Sequence, residues 1–387
     1  MLFLKNGQVH TMMGEILNEA SILVDNGKIK EIGTGIVEPK GVRVVNLHGK
    51  VVTPGIIEAH CHLGMQEDSI GFEGNDVNET SDPVTPQLRA IDAINPMDKT
   101  FKEAYEGGVT CAATGPGSAN VIGGQFIVIK TYGDRIDDMV VKDPVAMKCA
   151  FGENPKKFYG QGKKQPATRM AIAAMIREYL RKAKDYSEKL EEAKDDKSKR
   201  PAFDAKLEAL VPVVNREIPL KAHVHRADDI FTAIRIAKEF GVKMTLDHCT
   251  DGSLIANELA KENFDVIVGP SFGYRGKFEL KSKSFETPGI LSRAGLKVAI
   301  TTDSPVVPLN YLPMSAGLAV KAGMDKEEAL KAITINAAEI LGVDDRVGSL
   351  EVGKDADIVV WDGHPCDLSS TVNYTIINGE IVYSNME

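Results

Sequence analysis

The 387-residue chain has no apolar run approaching the roughly 18–20 residues that a membrane-spanning helix needs. Its opening, MLFLKNGQVHTMMGEILNEA, holds too short an apolar stretch to read as a signal peptide. There are only five cysteines, at 61, 111, 149, 249 and 366, an odd number with no repeated spacing. That speaks against a disulfide framework and for a reduced, cytoplasmic chain. Nor is there a surplus of positive charge. With 46 basic against 55 acidic residues the formal net charge is −9, which favours solubility and argues against a nucleic-acid or anionic-membrane surface. A small-molecule partner is expected instead, with a homo-oligomer left open.

What is present is patterned. Hydrophobic residues make up 43% of the chain, enough for a substantial core. Near the start, SILVDNGKIKEIG alternates around the pair Asn26-Gly27, a hairpin signal. The far end repeats the theme with DADIVVWDG and with YTIINGEIVYS around Asn378-Gly379. Two β-rich ends flanking a different middle predict one discontinuous β domain, 1–52 with 345–387, around a larger unit at 53–344. In that unit apolar strand-like runs at 51–62, 109–114, 126–131, 145–151, 220–225, 243–248, 265–270 and 296–303 alternate with helical patterns. Eight such strands match an α/β chain built as a (β/α)8 barrel. The third run has the weakest pattern and also fits a hairpin insertion. An open doubly wound sheet is the competing architecture, but no glycine fingerprint for a dinucleotide follows the first strand. Residues 181–200 hold 14 charged residues of 20, of mixed sign and helical spacing, and read as a solvated helix face.

Histidine is scarce, eight in all, and unevenly placed. His10, His48 and His364 lie in the β-rich ends. The other five, His60, His62, His223, His225 and His248, all fall at the carboxyl ends of predicted strands, the face on which barrels build active sites. Residues two apart in a strand point the same way, so His60 and His62 share a face, as do His223 and His225. Cys61 and Cys249 adjoin them but point to the opposite side and read as packing. Asp303 ends the strand VAITTDSP. A single His-x-His is more often structural than not. Imidazoles and a carboxylate converging from several strand ends are what a divalent transition metal needs, zinc above all.

These segments resemble the amidohydrolase superfamily. TPGIIEAHCHLG looks like its first-strand signature, although Glu58 stands where the family often has Asp. LKAHVH, TLDHC and ITTDS match its later ligand positions, and VGSLEVGKDADIVVWDG its β-sandwich. The resemblance implies a (β/α)8 barrel with a small β-sandwich from both chain ends. It implies one or two Zn2+ ions, or another divalent transition metal, held by His60, His62, His223, His248 and Asp303. His223 rather than His225 follows the apolar strand residues directly, which leaves His225 to support the ligands or to bind substrate. Two-metal members carry a Glu or a carboxylated Lys on a middle strand. AMKCAFGENPKKFYG offers both, Lys148 and Glu153, five apart and so on opposite faces of a continuous strand. Because its Gly-Glu-Asn-Pro resembles the Glu-x-Pro of sugar-phosphate deacetylases, Glu153 is the expected ligand, with Lys148 as alternative and a single-metal site as the third. The run GENPKKFYG and the strand end HVHRADD look most like the imidazolonepropionase-related branch.

The implied reaction is hydrolysis of an amide or cyclic amide, with Asp303 as the base that takes the proton of the attacking water and returns it to the leaving nitrogen. Substrate is expected to be set by loops. TGPGSANVIGGQ is small and glycine-rich, without the Gly-Lys-Ser/Thr of a phosphate loop. SFGYRGKFELKSKSFET carries Tyr274, Arg275 and Lys277, and Arg275 is the expected clamp for a substrate carboxylate. A dipeptidase or prolidase-like enzyme and a sugar-amide deacetylase are the alternatives on this scaffold. A deaminase is disfavoured, since HVHRADD lacks an acid Glu at the usual spacing. A metal-free scaffold paralogue is the remote reading, since no ligand position is lost.

Overall fold

The two Asn-Gly pairs form the tight turns expected of them: Asn26, Gly27, Asn378 and Gly379 all have positive φ, the conformation such hairpins demand. The computed structural model describes residues 1–385 apart from Glu15, Lys163 and Asp195. The hairpins belong to one sheet built from both chain ends. From the start come β1 (Leu2–His10), β2 (Ile16–Asp25), β3 (Lys28–Gly33), β4 (Arg43–Asn46) and β5 (Val51–Pro54). From the end come β14 (Ile358–Trp361), β15 (Val372–Ile377) and β16 (Glu380–Ser384). Their order is β16-β15-β14-β5-β1-β2-β3, with β4 beside β1. β5 joins the two halves, pairing parallel with β1 and antiparallel with β14. Alternate residues such as Leu2, Leu4, Ile22, Val24, Val52, Ile358 and Val360 form the buried face of this sheet.

The second sheet runs β6 (Ile56–Cys61), β7 (Val109–Thr114), β8 (Ile122–Lys130), β9 (Val140–Ala150), β10 (Leu220–Val224), β11 (Met244–His248), β12 (Asp265–Val268) and β13 (Val298–Ile300), in that order in space. It is the expected barrel with one modification: β8 lies antiparallel to both neighbours. The connection from β7 to β8 is residues 115–121, and a parallel return needs a crossover of about a dozen or more. The third strand is therefore half of a hairpin. Sheet and helices bury Val121, Met147, Ile172, Ile176, Leu220, Ala233 and Leu246 in a common core. The helix Arg169–Ala193 turns Ile172, Ile176, Leu180, Ala183 and Tyr186 inward. Of the charged stretch 181–200, residues 181–193 form the helix's far half and the rest follow its end; the stretch is mostly exposed as expected, with Asp195 outside the described residues.

The seam between β13 and β6 is closed by side chains as well as backbone. Glu58 accepts the Thr302 N–H at 2.8 Å, the Thr302 hydroxyl at 2.6 Å and the His60 N–H at 2.9 Å. Thr301 donates to the His60 carbonyl at 2.6 Å, and the His62 N–H to the Ser304 carbonyl at 2.8 Å. Burial pushes the Glu58 carboxyl up to about 7, against the hydrogen bonds that hold it down. No helix among the described residues is long and apolar enough to cross a membrane.

Candidate metal centre

Strand alternation delivers the expected side chains to the carboxyl end of the barrel. His60, His62 and Asp303 offer ligand atoms within 4.8 Å of one another, and His223, His225 and His248 do the same. In the first group the His60 and His62 Nε2 atoms lie 3.7 and 3.3 Å from Asp303 Oδ1. The groups adjoin, with the His60 and His248 ring centroids 5.0 Å apart. All six residues are shielded from solvent, five of them at under a tenth of their surface exposed.

The far side of four of the five rings is anchored. His62 Nδ1–H donates to the Gly115 carbonyl at 2.7 Å, and His248 Nδ1–H to the Gly269 carbonyl at 2.8 Å. A carbonyl only accepts, so each ring keeps its Nε2 lone pair for the site. His60 Nδ1 meets Asp247 Oδ2 at 2.7 Å and His225 Nδ1 meets Thr250 Oγ1 at 2.7 Å. Asp247 is in turn held by the Thr245 hydroxyl at 2.8 Å and by buried Lys221, whose Nζ lies 3.2 Å away. Backbone strain is concentrated here: His248, Cys249 and Asp303 have φ of 71°, 45° and 54°, left-handed values that cost about 1–3 kcal/mol each outside glycine. Asp303 is pinned there by its own N–H, which donates to Thr301 Oγ1 at 3.0 Å.

Electrostatics suit a cation. Burial drives the His60, His223 and His248 imidazoles well below their usual range and His225 down to about 4, so all four are neutral near pH 7. Burial alone would raise the Asp303 carboxyl, but His248 and His62 outweigh it and hold the group below its ordinary value. His248 Nε2 and Asp303 Oδ1 are buried without a hydrogen-bond partner. Such atoms cost about 1–3 kcal/mol each if left unsatisfied. A donor set of neutral imidazole and ionised carboxylate fits a divalent metal ion.

The middle strand differs from expectation. Lys148, not Glu153, points into the barrel: its Nζ is 3.0 Å from His60 Nε2 and fully buried. Glu153 lies beyond the end of β9, past Gly152 (φ 78°), where it opens the short helix Glu153–Gly160. Among the described residues its carboxylate joins neither ligand group. The two side chains are separated because the strand ends at Ala150 and the chain turns at Gly152 before Glu153. Burial lowers the Lys148 ammonium to about 8, although Asp247 and Asp303 pull the other way.

A cavity of about 400 Å³ opens over the site, lined by His62, His223, His225 and His248 with Asp303, Gly117, Ser118, Asn154, Lys277 and Leu280, while His60 lies beneath it. The glycine-rich segment does approach it. From the later loop, however, it is Lys277 that reaches inward, donating to Asn154 Oδ1 at 2.5 Å. Tyr274 is 87% exposed, and Arg275 is turned to the Lys283 carbonyl at 2.8 Å; neither lines the cavity. Asp247, Lys221, Asn154 and Glu279 escaped sequence reasoning as site residues. Asp247 carried a signal, since it immediately precedes His248; Lys221 lies in the barrel interior, Asn154 in a short helix and Glu279 in a short turn, where pattern says little. Cys61 and Cys249 are buried in core clusters, as expected. A third group, His10, Glu327 and His364, lies apart from the cavity. There His364 Nδ1 accepts the Cys366 N–H at 3.1 Å, so the neutral ring carries its proton on the Nε2 that faces Glu327.

The chain is similar to known hydrolases over nearly its whole length. An amidohydrolase from Thermotoga maritima MSB8 is 42% identical and superposes with a TM-score of 0.95, covering 99% of this chain and 100% of that one. The amidohydrolase tasK of Hapsidospora irregularis is 27% identical over 92% of this chain, which spans only 39% of that longer protein. The imidazolonepropionase of Fusobacterium nucleatum is 25% identical over 96% of this chain and 91% of its own length. The model of the Amidohydrolase family matches residues 51–382, from β5, just before the strand that carries His60, to β16, and the chain belongs to that family.

Proposed function

We propose that the chain hydrolyses an amide or cyclic-amide C–N bond in a small, carboxylate-bearing molecule. The observation that carries this reading is the convergence of five histidines and Asp303 in two adjoining groups at one end of the barrel, with buried, unpartnered donor atoms. His60, His62 and Asp303 are the ligands we assign to a first divalent ion, zinc foremost. When bound, such an ion polarises a carbonyl oxygen and lowers the pKa of water to roughly 7.

The remaining work falls to the chain's own groups. Asp303, an ionised carboxylate held below its ordinary pKa, accepts the proton of the attacking water and returns it to the nitrogen as the C–N bond breaks. Asp247 and Gly115 keep His60 and His62 oriented through Nδ1. Lys148 takes the middle-strand role in preference to Glu153. With its pKa near 8 a fraction of the amine is uncharged at neutral pH and can add carbon dioxide, forming an N–C bond and releasing one proton to give an anionic carbamate. Lys277, donating to Asn154 at the cavity wall, takes the carboxylate-binding role foreseen for Arg275. The same pair supports a dipeptidase-like substrate, which also ends in a carboxylate.

Metal analysis of the purified protein and a screen of dipeptides, N-acyl amino acids and lactams bearing a carboxylate test the reading. At least one divalent ion per chain is expected. Asp303→Asn is expected to lower kcat by about 10²–10⁴-fold with metal still bound. A protein that takes up no divalent ion sinks the proposal, and near-normal turnover in Asp303→Asn removes that residue from its role.

A further inference from the structure

We infer that His223, His225, His248 and Glu279 form a second metal position complete in itself, with His225 and Glu279 as ligands. The inference rests on the metal-hydrolase reading above and extends it to residues outside the expected ligand set. β10 carries its own His-x-His, a counterpart of the one on β6. The three rings are packed around one point, with centroid separations of 4.6, 4.5 and 4.9 Å. Their donor atoms lie within 4.8 Å of one another. His248 and His225 are anchored through Nδ1, and His223 Nε2 faces the Asn154 side-chain amide at 3.3 Å, so it offers a lone pair.

Three neutral imidazoles lack an anion, and Glu279 supplies one. It sits in the short turn Phe278–Leu280 yet is 2% exposed. Its Oε2 accepts the Glu153 N–H at 2.9 Å. Its Oε1 is buried without a hydrogen-bond partner and lies 3.9 Å from His223 Nε2 and 3.8 Å from His225 Nε2. Ligand atoms about 2.0–2.1 Å from a tetrahedral zinc are roughly 3.4 Å apart, so small side-chain movements close the set. The chain makes room for this carboxylate: a Cβ on Gly152 would come 2.8 Å from Glu279 Oε2. The competing role for Glu279 is counter-ion to Lys277, whose Nζ is 3.9 Å from Glu279 Oε1.

The test strips the protein with chelator, titrates Zn2+ into it, and locates the ions by anomalous scattering. Wild type is expected to take two ions. Glu279→Gln and His225→Asn should each keep the ion at His60, His62 and Asp303 and bind the second at least ten-fold more weakly. Retention of the first ion shows that a variant is folded. Lys277→Met, which removes the counter-ion without touching a ligand, should keep both. Unchanged affinity for the second ion in both ligand variants overturns the inference. So does loss of that ion in Lys277→Met alone. A wild type with one ion at His60, His62 and Asp303 overturns the inference and leaves the hydrolase reading standing, whereas a wild type with none overturns both.

Discussion

Lys130 and Lys148 are buried lysines on adjacent strands, and their surroundings push them in opposite directions. Lys130 ends β8, and because that strand runs antiparallel it emerges at the end of the barrel away from the cavity, against the chain-end sheet. There its Nζ meets Asp357 at 2.6 Å and Asp355 at 3.0 Å. Asp355 also takes Lys28 at 2.6 Å and Arg346 at 2.9 Å, and Asp357 Oδ1 accepts the Asn378 N–H. Burial would lower the Lys130 ammonium, but the two carboxylates outweigh it and raise it. At Lys148 burial wins and the ammonium falls to about 8, with a neutral imidazole as its nearest partner. The junction satisfies its charges; the strand-end site leaves His248 Nε2, Asp303 Oδ1 and Glu279 Oε1 unsatisfied. A buried polar cluster completed by the chain itself is structural, whereas one that is left incomplete is arranged for something the chain does not contain.

Breaking the junction should cost the most. Lys130→Met leaves the buried Asp357 without its cation and takes one of three cations from Asp355, and is expected to lose about 3–5 kcal/mol of stability in denaturant unfolding, with metal content per folded chain unchanged. A loss below about 1 kcal/mol would erase the contrast. Lys148→Met should do the reverse. It removes an uncompensated buried amine, so the melting temperature of the metal-free protein should hold or rise, while kcat/KM falls on the order of 100-fold. A variant that is unstable but active would show that Lys148 is structural. The smallest effect concerns pH. Lys130, Lys28 and Arg346 overcome burial and hold the Asp355 carboxyl below its ordinary value. A depressed carboxyl contributes stability that is present above the unfolded pKa of about 3.9 and lost as pH falls through the folded one. The raised Lys130 contributes below about 10.5 and loses its effect only as pH rises through its folded value. Melting curves in chelator should therefore be flat from about pH 4 to 10 as far as this cluster is concerned. Below that plateau wild type should fall more steeply than Lys130→Met, and coincident acid limbs would remove the junction as their cause.

Much of the site was legible because strand geometry is local. The His-x-His pairs, Asp303 and the packing cysteines followed from side chains alternating at period two and from strands ending where apolar runs end. The same parity would separate Lys148 from Glu153 in a continuous strand but did not say which one faced inward. A resemblance of short motifs favoured Glu153, and the barrel's register reversed that choice. The reversal of β8 was half visible: the second and third apolar runs are too close for a crossover helix. Lys277 could be named from its loop, as could Tyr274 and Arg275, but nothing in SFGYRGKFELKSKSFET distinguishes the residue that enters the cavity from those that face away.

The chain's own residues therefore determined the barrel, the face that carries the chemistry and the metal-capable character of that face, because each depends on interactions within a strand or on its period. Tertiary structure alone decided that Lys148 sits beside His60, that Glu279 reaches His223 and His225 from a loop, and that Lys130 anchors the far end to Asp355 and Asp357. Those pairings join residues 54 to 227 positions apart, and such meetings are set by how strands and loops pack against one another, which no local pattern encodes.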